Sequence, residues 1–117
     1  MKTRLTFGVL LAVIGCKEPA KPTHTGFYIF GQNSLNAYVR CGERDWYWVT
    51  GPGGDALENR ARRLARVPGQ PVYVEFIGAM MPETEPVPPG YKGAIRVDTM
   101  LPAQPTPPPG CGLDYSP

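Results

Sequence analysis

One histidine, three cysteines and ten carboxylates are the side chains of this 117-residue chain from which a reacting centre could be built. The histidine, His24, stands in a polar, proline-bearing stretch, 17–25 (KEPAKPTHT). A metal site or a Ser–His or Cys–His couple needs several convergent partners, and the sequence places none beside it. Neither Cys41 nor Cys111 has a second cysteine at metal-ligand spacing. Glu75, Glu83, Glu85 and Asp98 supply carboxylates, but nothing marks a pair at the separation that glycoside hydrolysis requires. Gly51-Pro52-Gly53-Gly54 lacks both the lysine and the spacing of a phosphate-binding loop, and no serine sits in a nucleophile elbow. The expectation is a non-enzymatic protein with no cofactor and no metal.

The residues that could bind something are aromatic. Tyr28, Phe30, Tyr38, Trp46, Tyr47 and Trp48 fall on adjacent strand candidates with Arg40 nearby. Aromatic rings beside arginine on a shallow β-surface can hold sugars, peptides or unstacked bases. Alternation puts Ala37 and Val39 on one face of their strand and Tyr38 and Arg40 on the other, so Tyr28, Tyr38 and Arg40 form the candidate ligand face. Trp46 and Trp48 share a face, and in a small barrel short of bulk that face is expected to be the interior.

The elements that must position these groups are short. Segments 26–31 (GFYIFG), 35–41, 46–50 (WYWVT), 71–80 (PVYVEFIGAM) and 94–101 (AIRVDTML) alternate or run apolar as strands do. Between the third and fourth, 56–66 repeats apolar residues at helical spacing, with Asp55 and Glu58 spaced as a capping box and arginines in the last turns. Glu58 and Arg62 are spaced as a surface ion pair. Segment 81–93 (MPETEPVPPGYKG) is too rich in proline to be regular and reads as a long exposed loop. Five strands with one helix between strands three and four predict a mainly β, five-stranded OB-like barrel. Its expected core is Val39, Val49, Leu57, Leu64, Val72, Val74, Phe76, Ile95 and Val97, with the helix plugging one end.

Residues 1–15 form a basic, then apolar leader, and Val13-Ile14-Gly15-Cys16 resembles the lipobox of bacterial lipoproteins. Its ten or so apolar residues, at 1.5 Å each, are too few to span roughly 30 Å of hydrocarbon. The resemblance implies removal of 1–15 as a signal peptide, diacylglyceryl attachment to the Cys16 sulfur and usually acylation of the new amino terminus. It implies a membrane partner reached through this lipid anchor in the bacterial cell envelope. Lys17 is not the aspartate that retains such proteins in an inner membrane, so the outer one is implied where a host has two. Losing 15 of 117 residues leaves 102, one small domain, and it removes Lys2 and Arg4 from the twelve basic residues, leaving ten against ten acidic ones. No charge excess then argues for nucleic acid. The organisation is a signal peptide (1–15), a tether (16–25), an OB-like domain (26–101) and a proline-rich tail (102–117). With Cys16 taken by lipid, Cys41 and Cys111 are the one disulfide pair an oxidising envelope could form; the alternative is two free thiols.

Gly26-Phe27-Tyr28, Tyr38-Val39-Arg40-Cys41-Gly42 with Trp48-Val49 after it, Leu57-Glu58, and Gly69-Gln70-Pro71-Val72-Tyr73-Val74-Glu75 running to Gly78 are together similar to the C-terminal OB domain of NlpE-type outer-membrane lipoproteins. The likeness covers most of 26–101 and implies a fold, a lipid anchor and an envelope address. The separate N-terminal barrel with paired cysteines, which larger members use in stress signalling, has no counterpart here. The function expected is an envelope interaction module whose partner is an envelope protein or a glycan. The alternative is a lysozyme or protease inhibitor, since a Tyr-x-x-Cys-Gly strand and a late cysteine also resemble membrane-bound lysozyme inhibitors, although their serine-glycine loop is missing.

Overall fold

A computed structural model describes residues 22–31, 35–102 and 106–112. The expected signal peptide, Cys16 and most of the expected tether lie outside the described residues. Among the described residues, five strands and one helix follow in order: β1 (Thr23–Gly31), β2 (Leu35–Arg40), β3 (Tyr47–Thr50), α1 (Gly54–Leu64), β4 (Val72–Met80) and β5 (Gly93–Leu101). The strands close into a barrel in the order β1-β2-β3-β5-β4, with β4 returning to β1. All pairs are antiparallel except β3 with β5. This is the OB-like layout expected from the sequence, with a helix between the third and fourth strands.

β1 reaches three residues further towards the N-terminus than the sequence pattern indicated. Thr23, His24 and Thr25 pair with Ile77, Phe76 and Glu75, so they belong to the barrel and not to the tether. The strand serves two neighbours: Gly26, Phe27 and Tyr28 pair with β2 on one side and β4 on the other. A Cβ on Gly26 would collide with the Val39 carbonyl oxygen. A bulge at Ile77/Gly78 gives β4 the matching bend.

The interior is lined by Tyr28, Tyr38, Tyr47, Val49, Val72, Val74, Phe76, Ile95 and Val97, and closed at one end by Leu57 and Ala61 of α1. Three expectations are corrected here. Val39 is fully buried but outside the barrel, in a second cluster with Ile29 and Ala37. Tyr28 and Tyr38 take the interior place assigned to their aliphatic neighbours, so they are core and not ligand face. Leu64 is 47% exposed, because the stripe of α1 that faces the barrel runs through Leu57, Ala61 and, just past the helix, Ala65, and Leu64 lies to one side of it.

The capping box does not form. The helix begins two residues earlier than its apolar spacing suggested, with Gly53 as N-cap and no side-chain cap bond. The Gly53 N–H donates instead to the Val97 carbonyl (2.8 Å), which ties the helix start to β5. Asp55 lies in the first turn and Arg62 and Arg63 in the last, the arrangement the helix dipole favours. Glu58 and Arg62 pair at 2.9 Å.

Two outer faces are covered by chain that is not strand. Cys41 and Cys111 form the expected disulfide, with Cα atoms 4.4 Å apart, and Cys111 is buried against Phe27 and Tyr73 on the outside of β1 and β4. On the outside of β1, β2 and β3, Tyr91 from the loop before β5 packs with Leu35 and Trp46 against Ile29, Ala37 and Val39.

Candidate functional site

The face of β2 and β3 that points away from the barrel carries the aromatic groups free to meet a ligand. On β3, Tyr47 and Val49 are buried inside, so the period of two sends Trp46 and Trp48 outward. Both are half-buried, which corrects the expectation that they fill the core. Tyr91 stands between them: its ring centroid is 6.1 Å from Trp46 at 57° and 5.3 Å from Trp48 at 84°. Three rings at such angles form a folded platform instead of a stack.

Backbone and side-chain bonds fix the platform. Lys92 N–H donates to the Trp46 carbonyl (2.8 Å) and Tyr91 N–H to the Pro88 carbonyl (3.3 Å), which holds the proline-rich loop over β3. Asn36 is the hub beneath. Its backbone N–H donates to Tyr91 Oη (3.2 Å), its Nδ2 to the Val49 carbonyl (2.9 Å), and its Oδ1 accepts from Tyr28 Oη (2.5 Å). The Tyr28 bond satisfies a phenol in the core and links the interior to the outer platform.

Clefts flank the platform on either side. One, of about 560 Å³, lies among Arg44, Asp45, Trp46, Gly90, Tyr91 and Lys92. Across it Lys92 Nζ donates to Asp45 Oδ2 at 3.1 Å, and that bond raises the lysine pKa above its ordinary value. The other, of about 360 Å³, runs from Trp48 past Asn36 and Thr50 to Asp55 and Glu58 at the start of α1. Each therefore combines an aromatic wall with hydrogen-bonding groups, the composition of a site for a polar, ring-bearing ligand.

The three residues expected as a ligand face are not brought together on the surface. Tyr28 and Tyr38 are 1% and 0% exposed, and burial is the first cause that pushes both phenols well above the ordinary tyrosine pKa. Tyr38 Oη donates to the Thr25 carbonyl at 2.7 Å. Arg40 shares the side of Tyr38 and sits at the barrel mouth opposite α1, its guanidinium carbon 5.5 Å from the centre of the Tyr47 ring. There it adjoins His24, whose ring stacks on Phe76 (5.4 Å, 25°) and whose Nε2 bonds the Gly78 carbonyl at 3.1 Å. Among the described residues, no group of three or more His, Cys, Asp or Glu could hold a metal ion.

Sequence reasoning missed Asn36 and Tyr91. The lone aromatic ring of a loop rich in proline, glycine and charge was the available signal, since such a ring must find a surface to cover.

No family model matches the chain, and no curated protein and no solved structure matches it.

Proposed function

We propose that this protein is a lipid-anchored module of the bacterial envelope, held at the membrane through Cys16, whose OB-like barrel binds a glycan with the Trp46–Trp48–Tyr91 platform. The observation that carries this reading is the platform itself: three rings held in place by Asn36 and the 81–92 loop, kept out of the core and bordered by polar clefts. Sugar rings stack their apolar faces on aromatic side chains while their hydroxyls need donors and acceptors at the edge, and Asn36, Thr50, Asp55 and Glu58 stand where those hydroxyls would lie. The neutralised Lys92–Asp45 pair favours a ligand without strong net charge. Binding on strands two and three and their flanking loops is also the habit of OB barrels.

Both tryptophans of the protein belong to this platform, so intrinsic fluorescence reports on it directly. Titration with soluble peptidoglycan oligosaccharides should quench or shift that fluorescence saturably. Trp48→Ala, which removes a ring outside the buried clusters, should weaken binding by about tenfold or more at unchanged melting temperature, as expected for one lost stacking contact. In the same cells Cys16→Ser should leave the membrane fraction. A silent titration together with inhibition of lysozyme would replace glycan binding with the inhibitor reading. Persistent membrane attachment of the serine variant would refute the anchor alone.

A further inference from the structure

The barrel mouth opposite α1 opens into a cleft of about 230 Å³ lined by Thr23, His24, Thr25, Tyr38, Arg40 and Glu43. The backbone of β1 fixes its floor, where the Thr25 carbonyl accepts from Tyr38 Oη (2.7 Å) and from Cys41 N–H (3.1 Å). The donors on its walls are unspent. Arg40 Nε is buried without a hydrogen-bond partner among the described residues. Glu43 Oε2 stands 3.9 Å from Arg40 Nη1, too far for a hydrogen bond, and its side chain is 44% exposed. The Thr25 hydroxyl lies 3.4 Å from the Cys41 sulfur, a weak acceptor. A buried donor left unmatched is costly, so a guanidinium placed in this way is ready for an acceptor.

His24 adds a charge that depends on what lies beside it. Its Nε2 donates to the Gly78 carbonyl (3.1 Å), so Nδ1 is the nitrogen left to gain a proton. Around the ring stand Arg40 and Tyr38 from β2, Glu43 from the turn after it, and Phe76 from β4. Burial first, and then the Arg40 charge, hold the ring pKa below its ordinary value, against the Gly78 bond. An anion set between ring and guanidinium would oppose both effects and draw a proton onto the ring.

We propose that this mouth is a phosphate site, in which the Arg40 guanidinium and the Thr23 and Thr25 hydroxyls hold the oxygens and His24, once protonated, completes the set. The planar fork of arginine matches two phosphate oxygens, and a guanidinium held by no strong bond can turn until Nε–H and an Nη–H grip them. A tetrahedral anion accepts from several directions at once, which suits an arginine, two threonines and a histidine around one small cleft. Free phosphate and a lipid head group both offer that chemistry. Thr23 follows Cys16 by 23 − 16 = 7 residues, which at most reach roughly 25 Å. On the lipid-anchor reading, on which the choice of source rests, the mouth is therefore within reach of the head groups, and a lipid phosphate is the expected occupant.

His24 is the one histidine of the chain, so its ring resonances report on this site alone. Titrating the purified full chain with inorganic phosphate should shift them saturably and raise the pH midpoint of the ring, while sodium chloride of equal ionic strength should do neither. Arg40→Gln should weaken binding by roughly tenfold or more, and Arg40→Lys should restore only part of it, because an ammonium lacks the fork. Glu43→Gln should tighten binding by removing a repelling carboxylate, a gain that damage to the fold cannot imitate. Phosphatidylglycerol vesicles that bind the parent and release Arg40→Gln would assign the site to a lipid head group. Phosphate binding, with vesicles held equally by parent and variant, would assign it to free phosphate and leave the anchor to its own test, Cys16→Ser. Equal responses to phosphate and chloride would overturn the proposal, and so would a phosphate response that Arg40→Gln leaves at full strength.

Discussion

His24 shows what position in a fold does to a side chain that looked idle. The sequence placed it in a tether; in the structure it lies in β1, stacked on Phe76 and bonded to the Gly78 carbonyl. Burial is the main cause that lowers its pKa below the ordinary 6.5, with the Arg40 charge acting in the same direction and the Gly78 bond opposing them. Above pH 6.5 the ring is neutral in both folded and unfolded chains, and its contribution to stability is fully present. As pH falls through 6.5 the unfolded chain takes up the proton first, so stability drops until the folded ring is protonated too. Melting temperature should therefore decline as pH falls through 6.5, and His24→Phe, which keeps a ring on Phe76 without a titrating group, should flatten that decline. An equal decline in both proteins would assign it to other groups. The same scale explains why Tyr28 and Tyr38 were misread. Tyrosine alternating with alanine and valine looks like the wet side of a strand, yet each phenol has an acceptor, Asn36 Oδ1 or the Thr25 carbonyl, that makes burial tolerable. Those acceptors could not be known before the strands were paired.

At the scale of elements, the strongly patterned segments were legible and their ends were not. β4 and β5 carried their inward residues, Val72, Val74, Phe76, Ile95 and Val97, where alternation put them. α1 showed its Leu57 and Ala61 face, but its start was hidden because backbone bonding to Val97, not a side-chain cap, sets it. The bend in β4 was equally silent in the sequence, although a glycine marks it. At Gly78 the chain passes so close to β5 that an added Cβ would overlap the Arg96 carbonyl oxygen. Backbone cannot step aside as a flexible side chain can, so Gly78→Ala should cost about 2–3 kcal/mol by overpacking a bulge that closes the barrel. Chemical denaturation would measure it, and a neutral result would show that β4 and β5 slide apart freely. Gly90, which has nothing within 4 Å of such a Cβ, has the left-handed φ of 94° instead, so Gly90→Ala tests strain without crowding.

For the molecule as a whole, the barrel has one core and two external covers, and both come from proline-rich chain that sequence reading could describe only as loop and tail. Tyr91 holds the first cover and the Cys41–Cys111 disulfide the second. The second can be removed without touching the interior, since Phe27, Tyr73 and Cys111 form a cluster separate from the barrel core. Gly42 N–H bonds the Gly112 carbonyl beside the disulfide, but such a contact is too weak to hold a short polar tail once the covalent link is gone. Closing a loop with a sequence separation of 70 restricts the unfolded chain by about 4 kcal/mol in the chain-entropy model, a large share of what a domain of this size has. Cys111→Ser should therefore lower the melting temperature markedly, expose Phe27 and Tyr73 to an apolar dye, and open the chain after Leu101 to limited proteolysis. Tryptophan fluorescence should stay at its native value below that temperature, because Trp46 and Trp48 pack beside Tyr91, in the other cover. A tail that resists protease in the serine variant would mean that packing on Phe27 and Tyr73 holds it without the disulfide. A shift in tryptophan emission would mean that the two covers are coupled through β1, the strand they share.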